Sequence, residues 1–98
     1  MCGAPVQTLD LEGIDVAKES IVQGTVVRAG APVPGAYVRL LDSTGEFTAE
    51  VQTSPEGAFR FFAAPGSWTL RTLTSGGGST DTPATAVLGQ VVELTVKV

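Results

Sequence analysis

The sequence predicts an all-β fold, an antiparallel Greek-key sandwich of about seven short strands with an irregular N-terminal arm. Three observations predict it. Apolar residues return at every second position between Gly35 and Leu73. Turn signals punctuate that stretch about every ten residues, the spacing expected of a sandwich or barrel. The chain is also long enough, at 98 residues, to bury one core without disulfide staples. A period of two places alternate side chains on opposite faces of a pleated strand, one toward a core and one toward water.

The elements follow in order. Residues 1–18 are broken by Gly3, Pro5 and Gly13 and form the arm; residues 19–98 form the sandwich. Within the arm, Leu9, Leu11, Ile14 and Val16 are apolar enough to lie against a sheet. The acids Asp10, Glu12, Asp15 and Glu19 lack the spacing of a calcium loop and read as a solvated acidic segment. Glu19–Arg28 is the first strand, with Val22, Gly24 and Val26 on one face. A glycine inside a strand marks close backbone approach or a bulge. Ala29–Gly35 is a loop stiffened by Pro32 and Pro34.

Four strands come next. Ala36, Val38 and Leu40 alternate with Tyr37 and Arg39, and Phe47, Ala49 and Val51 alternate with Thr48, Glu50 and Gln52. Phe59 and Phe61 flank Arg60, and Trp68 and Leu70 alternate with Thr69 and Arg71. Between them, Asp42–Gly45 and Ser54–Gly57 suit type I turns, and Ala64–Ser67 suits type II through Gly66. Thr74–Pro83 reads as a mobile polar loop, without the lysine of a phosphate-binding loop. Ala84–Leu88 is a short strand and Gln90–Val98 the last one, with Val92, Leu94, Val96 and Val98 facing in.

Composition excludes several functions. The six basic residues are scattered singly in a chain of net charge −4, so no basic patch for nucleic acid exists. No run approaches the ~20 apolar residues of a membrane span. Nothing at the N-terminus reads as a signal peptide, and one cysteine forms no internal disulfide, so the expected compartment is the cytoplasm. Only 16% of residues are charged and mean hydropathy is +0.25. Part of the outer surface is therefore apolar, which suits either a homo-oligomer or stable partner, or a β-rich monomer with Val, Ala and Thr on its faces.

The chain contains no histidine, which removes Ser-His-Asp and Cys-His machinery and the commonest metal ligand. It contains no asparagine, so a Lys–Asn isopeptide bond cannot form. No metal site, cofactor or catalytic residue is expected. Three sets of residues remain as candidates. Arg39, Arg60 and Arg71 fall at outward positions on three strands and would make an anion site if those strands were neighbours; the alternative is surface arginines paired with nearby acids. Tyr37 and Phe62, also outward by alternation, would form an aromatic contact patch for a partner or glycan, or pack across strands. Cys2 becomes the N-terminal residue if Met1 is removed. Its thiol then sits beside the α-amino group, whose charge favours a thiolate able to accept sulfane sulfur; the alternative is an ordinary or buried thiol.

Two resemblances add to this reading. Val22–Val26, Pro32–Leu40, Gly57–Phe61 and Pro65–Leu70 resemble the signature segments of the carboxypeptidase-regulatory-like, transthyretin-like β-sandwich. Trp68 stands where those domains more often carry tyrosine. Hydroxyisourate hydrolases and intradiol dioxygenases of similar fold need histidines that this chain lacks. More closely, the opening MCGAP, Arg39–Val51 and Phe59–Arg71 resemble the actinobacterial SseC-like family, a domain of unknown function associated with thiosulfate sulfurtransferases. That resemblance implies a setting in sulfur metabolism and a thiosulfate sulfurtransferase as partner. The expected function is a small non-enzymatic accessory or interaction module; the alternatives are a sulfur carrier through a Cys2 persulfide, and a carbohydrate- or anion-binding module.

Overall fold

In the computed structural model, residues 13–98 are described, and they form eight strands in two four-stranded sheets. The strands are β1 (Ile21–Arg28), β2 (Ala31–Pro32), β3 (Tyr37–Leu41), β4 (Phe47–Gln52), β5 (Ala58–Phe62), β6 (Gly66–Leu73), β7 (Ser79–Ala86) and β8 (Val91–Lys97). The second sheet, in the order β4-β3-β6-β7, is antiparallel throughout. In the first sheet β1 is central. β5 and the short β2 share one of its edges, both antiparallel to it, and β8 lies along the other edge in parallel. The chain leaves the β3–β4 hairpin, adds β5 to the first sheet and returns so that β6 lies beside β3, the Greek-key crossing. The expected sandwich is therefore present, with β2 as an eighth strand and the first and last long strands in parallel.

The core follows from alternation. Val22 and Val26 of β1, Val38 and Leu40 of β3, Phe59 and Phe61 of β5, Leu70 of β6, Ala84 and Ala86 of β7, and Val96 of β8 are buried between the sheets. Trp68 packs against this cluster, and its indole N–H donates to the Ala64 carbonyl at 2.8 Å. Gly24 is where β8 comes closest: a Cβ there would overlap the backbone carbonyl of Leu94. No helix among the described residues is long and apolar enough to cross a membrane. Val16–Lys18 forms one 3₁₀ turn, and the Gly89 N–H donates to the Glu19 carbonyl at 2.7 Å, holding the β7–β8 turn against the start of the sandwich.

Four sequence expectations need correction. Thr74–Pro83 is not all loop: β7 begins at Ser79, because the eight-residue β6 offers ladder partners from Ala86 back to Ser79. Pro83 is tolerated because β7 is an edge strand. Val87 and Leu88, placed in a strand by sequence, are exposed in the turn after it. Phe47 does not face the core. The β3–β4 register shifts between Leu40 and Leu41, so Thr48 is skipped and Phe47 is 61% exposed. Gly66 opens β6 with φ 141°, far from the roughly +80° of a type II turn.

Within Ala29–Gly35, a two-residue hairpin joins β1 to β2. Ala29 and Gly30 have φ of 51° and 82°, which the primed turns of such hairpins require. Ala29 is the only non-glycine residue with positive φ among those described. Its Cβ crowds the backbone there, at a cost of about 1 kcal/mol. Ala29→Asn is therefore expected to stabilise the protein by up to about 1 kcal/mol, read as a higher urea midpoint at constant slope. An unchanged or lower midpoint would contradict the strain.

Candidate functional site

The outward side chains of each sheet form rows set by strand register. On the second sheet Arg39 lies opposite Glu50 on β4 and opposite Arg71 on β6, and Arg71 lies opposite Asp81 on β7. One row therefore reads Glu50–Arg39–Arg71–Asp81 across all four strands. Two arginines directly opposed would repel. Each instead turns to its own acid: Arg39 Nε donates to Glu50 Oε2 at 2.7 Å, and Arg71 donates through Nε and Nη2 to both Asp81 oxygens at 2.9 and 3.1 Å. All four side chains remain partly open to solvent, from 31% for Glu50 to 49% for Asp81.

Apolar groups flank this row on the same face. Tyr37, 47% exposed, lies one row away beside Leu73; the exposed Phe47 lies one row away on the other side, opposite Leu41, which is buried. Four residues of extended β3 separate the Tyr37 and Leu41 rows, about 13 Å.

The first sheet differs. Gln23 on β1 lies opposite Arg60 on β5 and Glu93 on β8. Arg60 Nε donates to Gln23 Oε1 at 2.8 Å, and Gln23 Nε2 donates to Glu93 Oε1 at 3.0 Å. Gln23 and its outward neighbour Ile21 are completely buried, so the centre of this face is closed to solvent.

The candidate residues therefore divide. Arg39 and Arg71 come together, but Arg60 belongs to the other sheet, so the three arginines do not converge. Tyr37 and Phe62 do not form one patch either; they sit on the outward faces of opposite sheets. Alternation tells which side of its own strand a residue takes, not which sheet the strand joins. Cys2 lies outside the described residues. Sequence reasoning missed Phe47, because the bulge that exposes it has no sequence signal, and missed Asp81, because it lay in a stretch read as loop. Among the described residues no group of three or more His, Cys, Asp or Glu side chains is placed to hold a metal ion.

Two aspartates are tuned by hydrogen bonding. The Arg71 guanidinium holds the Asp81 carboxyl below the ordinary aspartate value of 3.8. Asp42 is lowered mainly by the Thr44 hydroxyl, and then by the Glu46 and Thr44 backbone N–H groups of its turn. A carboxyl with a lowered folded-state pKa stabilises the fold above its unfolded pKa, and that stability is lost as pH falls through the folded value. The melting temperature is thus expected to hold from about pH 7 to about pH 5 and to fall below about pH 4. Asp81→Asn should flatten that acid limb in a thermal-melt series; an identical limb would remove the ion pair from it.

Residues 2–98 match the family described as "Protein of unknown function (DUF1416)". The chain belongs to this family. It is 57% identical over 79 residues to the uncharacterized proteins Rv0814c and Rv3118 of Mycobacterium tuberculosis, covering 79% of this chain and of each relative. A protein of Mycolicibacterium smegmatis is 52% identical over 87 residues, covering 88% of this chain and 96% of the relative. Among solved structures, the Bacillus anthracis TIE protein superposes with TM-score 0.68 at 17% identity, over 79% of this chain. The major pilin subunit BcpA of Bacillus cereus gives 0.63 at 16% over 82%, and the dioxygenase domain of a Streptomyces carbohydrate-binding fusion gives 0.64 at 12% over the whole chain. This DUF1416 chain spans 16% of the TIE protein and 30% of the pilin, but 95% of the dioxygenase domain. At these identities the likenesses show the fold alone.

Proposed function

We propose that this DUF1416 chain is a non-enzymatic interaction module that binds a partner protein through the outward face of its second sheet. One observation carries the reading. That face is open and presents Tyr37 and Phe47 around arginines whose positions are fixed by in-sheet ion pairs, whereas the centre of the other face is closed. Aromatic residues and arginine contribute most where protein interfaces bind tightly. The lack of any histidine and the presence of a single tyrosine speak against the chemistry of intradiol dioxygenases. The resemblance to SseC-like proteins supports a thiosulfate sulfurtransferase as the partner, and a single cysteine suits the reducing cytoplasm as the setting.

The test is calorimetric titration of the purified chain into a thiosulfate sulfurtransferase from the same source. Saturable binding that weakens about tenfold or more in Tyr37→Ala and Phe47→Ala is the expected result. Absence of binding by the unaltered chain would sink the reading. Intact mass after incubation with thiosulfate and the transferase tests the carrier alternative. A gain of about 32 Da that is lost in Cys2→Ser would establish a persulfide and replace the module with a carrier.

A further inference from the structure

We infer that the outward face of the second sheet recognises an extended acidic segment of a partner protein, with a carboxylate set over the Arg39–Arg71 pair. The inference rests on the interaction-module reading and gives the partner its chemistry. Its basis is the sign pattern of the row Glu50–Arg39–Arg71–Asp81, negative at both ends and doubly positive at the centre. Among the described residues Arg39 uses only Nε, leaving both Nη groups as donors, and Arg71 uses Nε and Nη2, leaving Nη1. The ion pairs fix the direction of both guanidinium groups in advance. An arriving carboxylate therefore meets donors that need little further ordering, which lowers the cost of binding.

The same pattern decides between occupants. A second copy docked symmetrically over the centre of the row would stack arginine on arginine and acid on acid, which like-charge repulsion opposes. A single small anion is also a poor fit. The two guanidinium groups are drawn toward opposite edges by their ion pairs, and the flanking carboxylates repel a dianion. An extended chain fits better. Over five residues it spans the ~13 Å between the Tyr37 and Phe47 rows, and its first, third and fifth side chains, apolar, acidic and apolar, meet Tyr37, the arginine row and Phe47.

The experiment is a heteronuclear NMR titration of the isotope-labelled full chain with a synthetic capped peptide, Leu-Glu-Glu-Glu-Leu, whose first, third and fifth side chains share one face over ~13 Å when extended, and with a matched Leu-Lys-Lys-Lys-Leu peptide. The expected result is saturable shifts confined to β3, β6 and the side-chain Nε–H signals of Arg39 and Arg71, with no such shifts from the lysine peptide. Two charge-neutral double variants, Arg39→Gln with Glu50→Gln and Arg71→Gln with Asp81→Asn, keep the net charge at −4 and should each weaken binding about tenfold. Retained affinity in both double variants overturns the inference. So do shifts centred on Arg60 and Phe62, the absence of shifts, or equal effects from sulfate or thiosulfate alone, which would make this a small-anion site. Because the probe is a peptide, this result is independent of whether the sulfurtransferase binds. Loss of transferase binding with peptide binding intact would reject that partner and keep the acidic-segment preference.

Discussion

Gly24→Ala is expected to lower the unfolding free energy by about 3 kcal/mol, measured by urea unfolding. The mechanism is overpacking against backbone. β1 is the central strand of its sheet, bonded to β5 and β2 on one edge and to β8 on the other. A methyl at position 24 would overlap the Leu94 carbonyl, and backbone, unlike a long side chain, cannot swing aside. Relief requires moving β8 away from β1, which breaks a parallel ladder running from Ile21 to Val27. It also disturbs Val22, Val26 and Val96 in the core beneath. Gly76→Ala is the control. It lies in the Thr74–Gly78 turn, its φ is not in the left-handed region, and its Cβ would meet nothing within 4 Å. Its effect should stay within about 0.5 kcal/mol. A cost below about 1 kcal/mol at Gly24 would mean that the two strands are not held at this distance.

The period-two pattern made most of the architecture legible, because burial on one face of a strand selects apolar residues at alternate positions. Val38, Leu40, Phe59, Phe61, Leu70 and Val96 all face the core as alternation predicts. Three features were not legible, each for a stated reason. β7 carries Ser79-Thr80-Asp81-Thr82 and a proline, and only the backbone ladder of β6 makes that polar run a strand. The Thr48 bulge moves Phe47 outward without any glycine to announce it. The parallel pairing of β1 with β8 joins residues about seventy apart, and nothing local encodes it. The candidate site suffered from the same limit. Arg39 and Arg71 share a row because β3 neighbours β6, while Arg60 fell to the other sheet; both facts belong to topology. The glycine at position 24 was the informative exception, since a residue without Cβ in mid-strand points to close backbone approach from the sequence alone.

The same chemical change at two threonines should have opposite effects. Thr53→Val is expected to destabilise the fold by about 2–3 kcal/mol, and Thr72→Val to leave it unchanged or stabilise it by up to about 1 kcal/mol. Both side chains are buried and both substitutions keep the branched shape. The difference lies in partners. The Thr53 hydroxyl accepts the Ala36 backbone N–H at 2.8 Å and donates to the Val33 carbonyl at 2.7 Å. Its own N–H donates to the Ala36 carbonyl at 2.8 Å, so Thr53 fastens the segment entering β3 to the end of β4. Valine would strand a buried N–H and a carbonyl, and the desolvation already incurred by those groups would go uncompensated. Thr72 Oγ1 is buried within the second sheet without a hydrogen-bond partner among the described residues. Its hydroxyl loses water on folding and gains nothing in return, so a methyl in its place removes a cost. Denaturant midpoints of the two single variants and of the double variant test this directly. Thr53 and Thr72 share no hydrogen bond, so the double variant should equal the sum of the singles to within about 0.5 kcal/mol. A loss of about 2 kcal/mol or more in Thr72→Val would show that its hydroxyl is satisfied in solution. A near-silent Thr53→Val would show that the β3 entry is held by the ladder alone. The position of Tyr37, the first residue of β3 and one frame of the candidate binding face, would then not depend on Thr53.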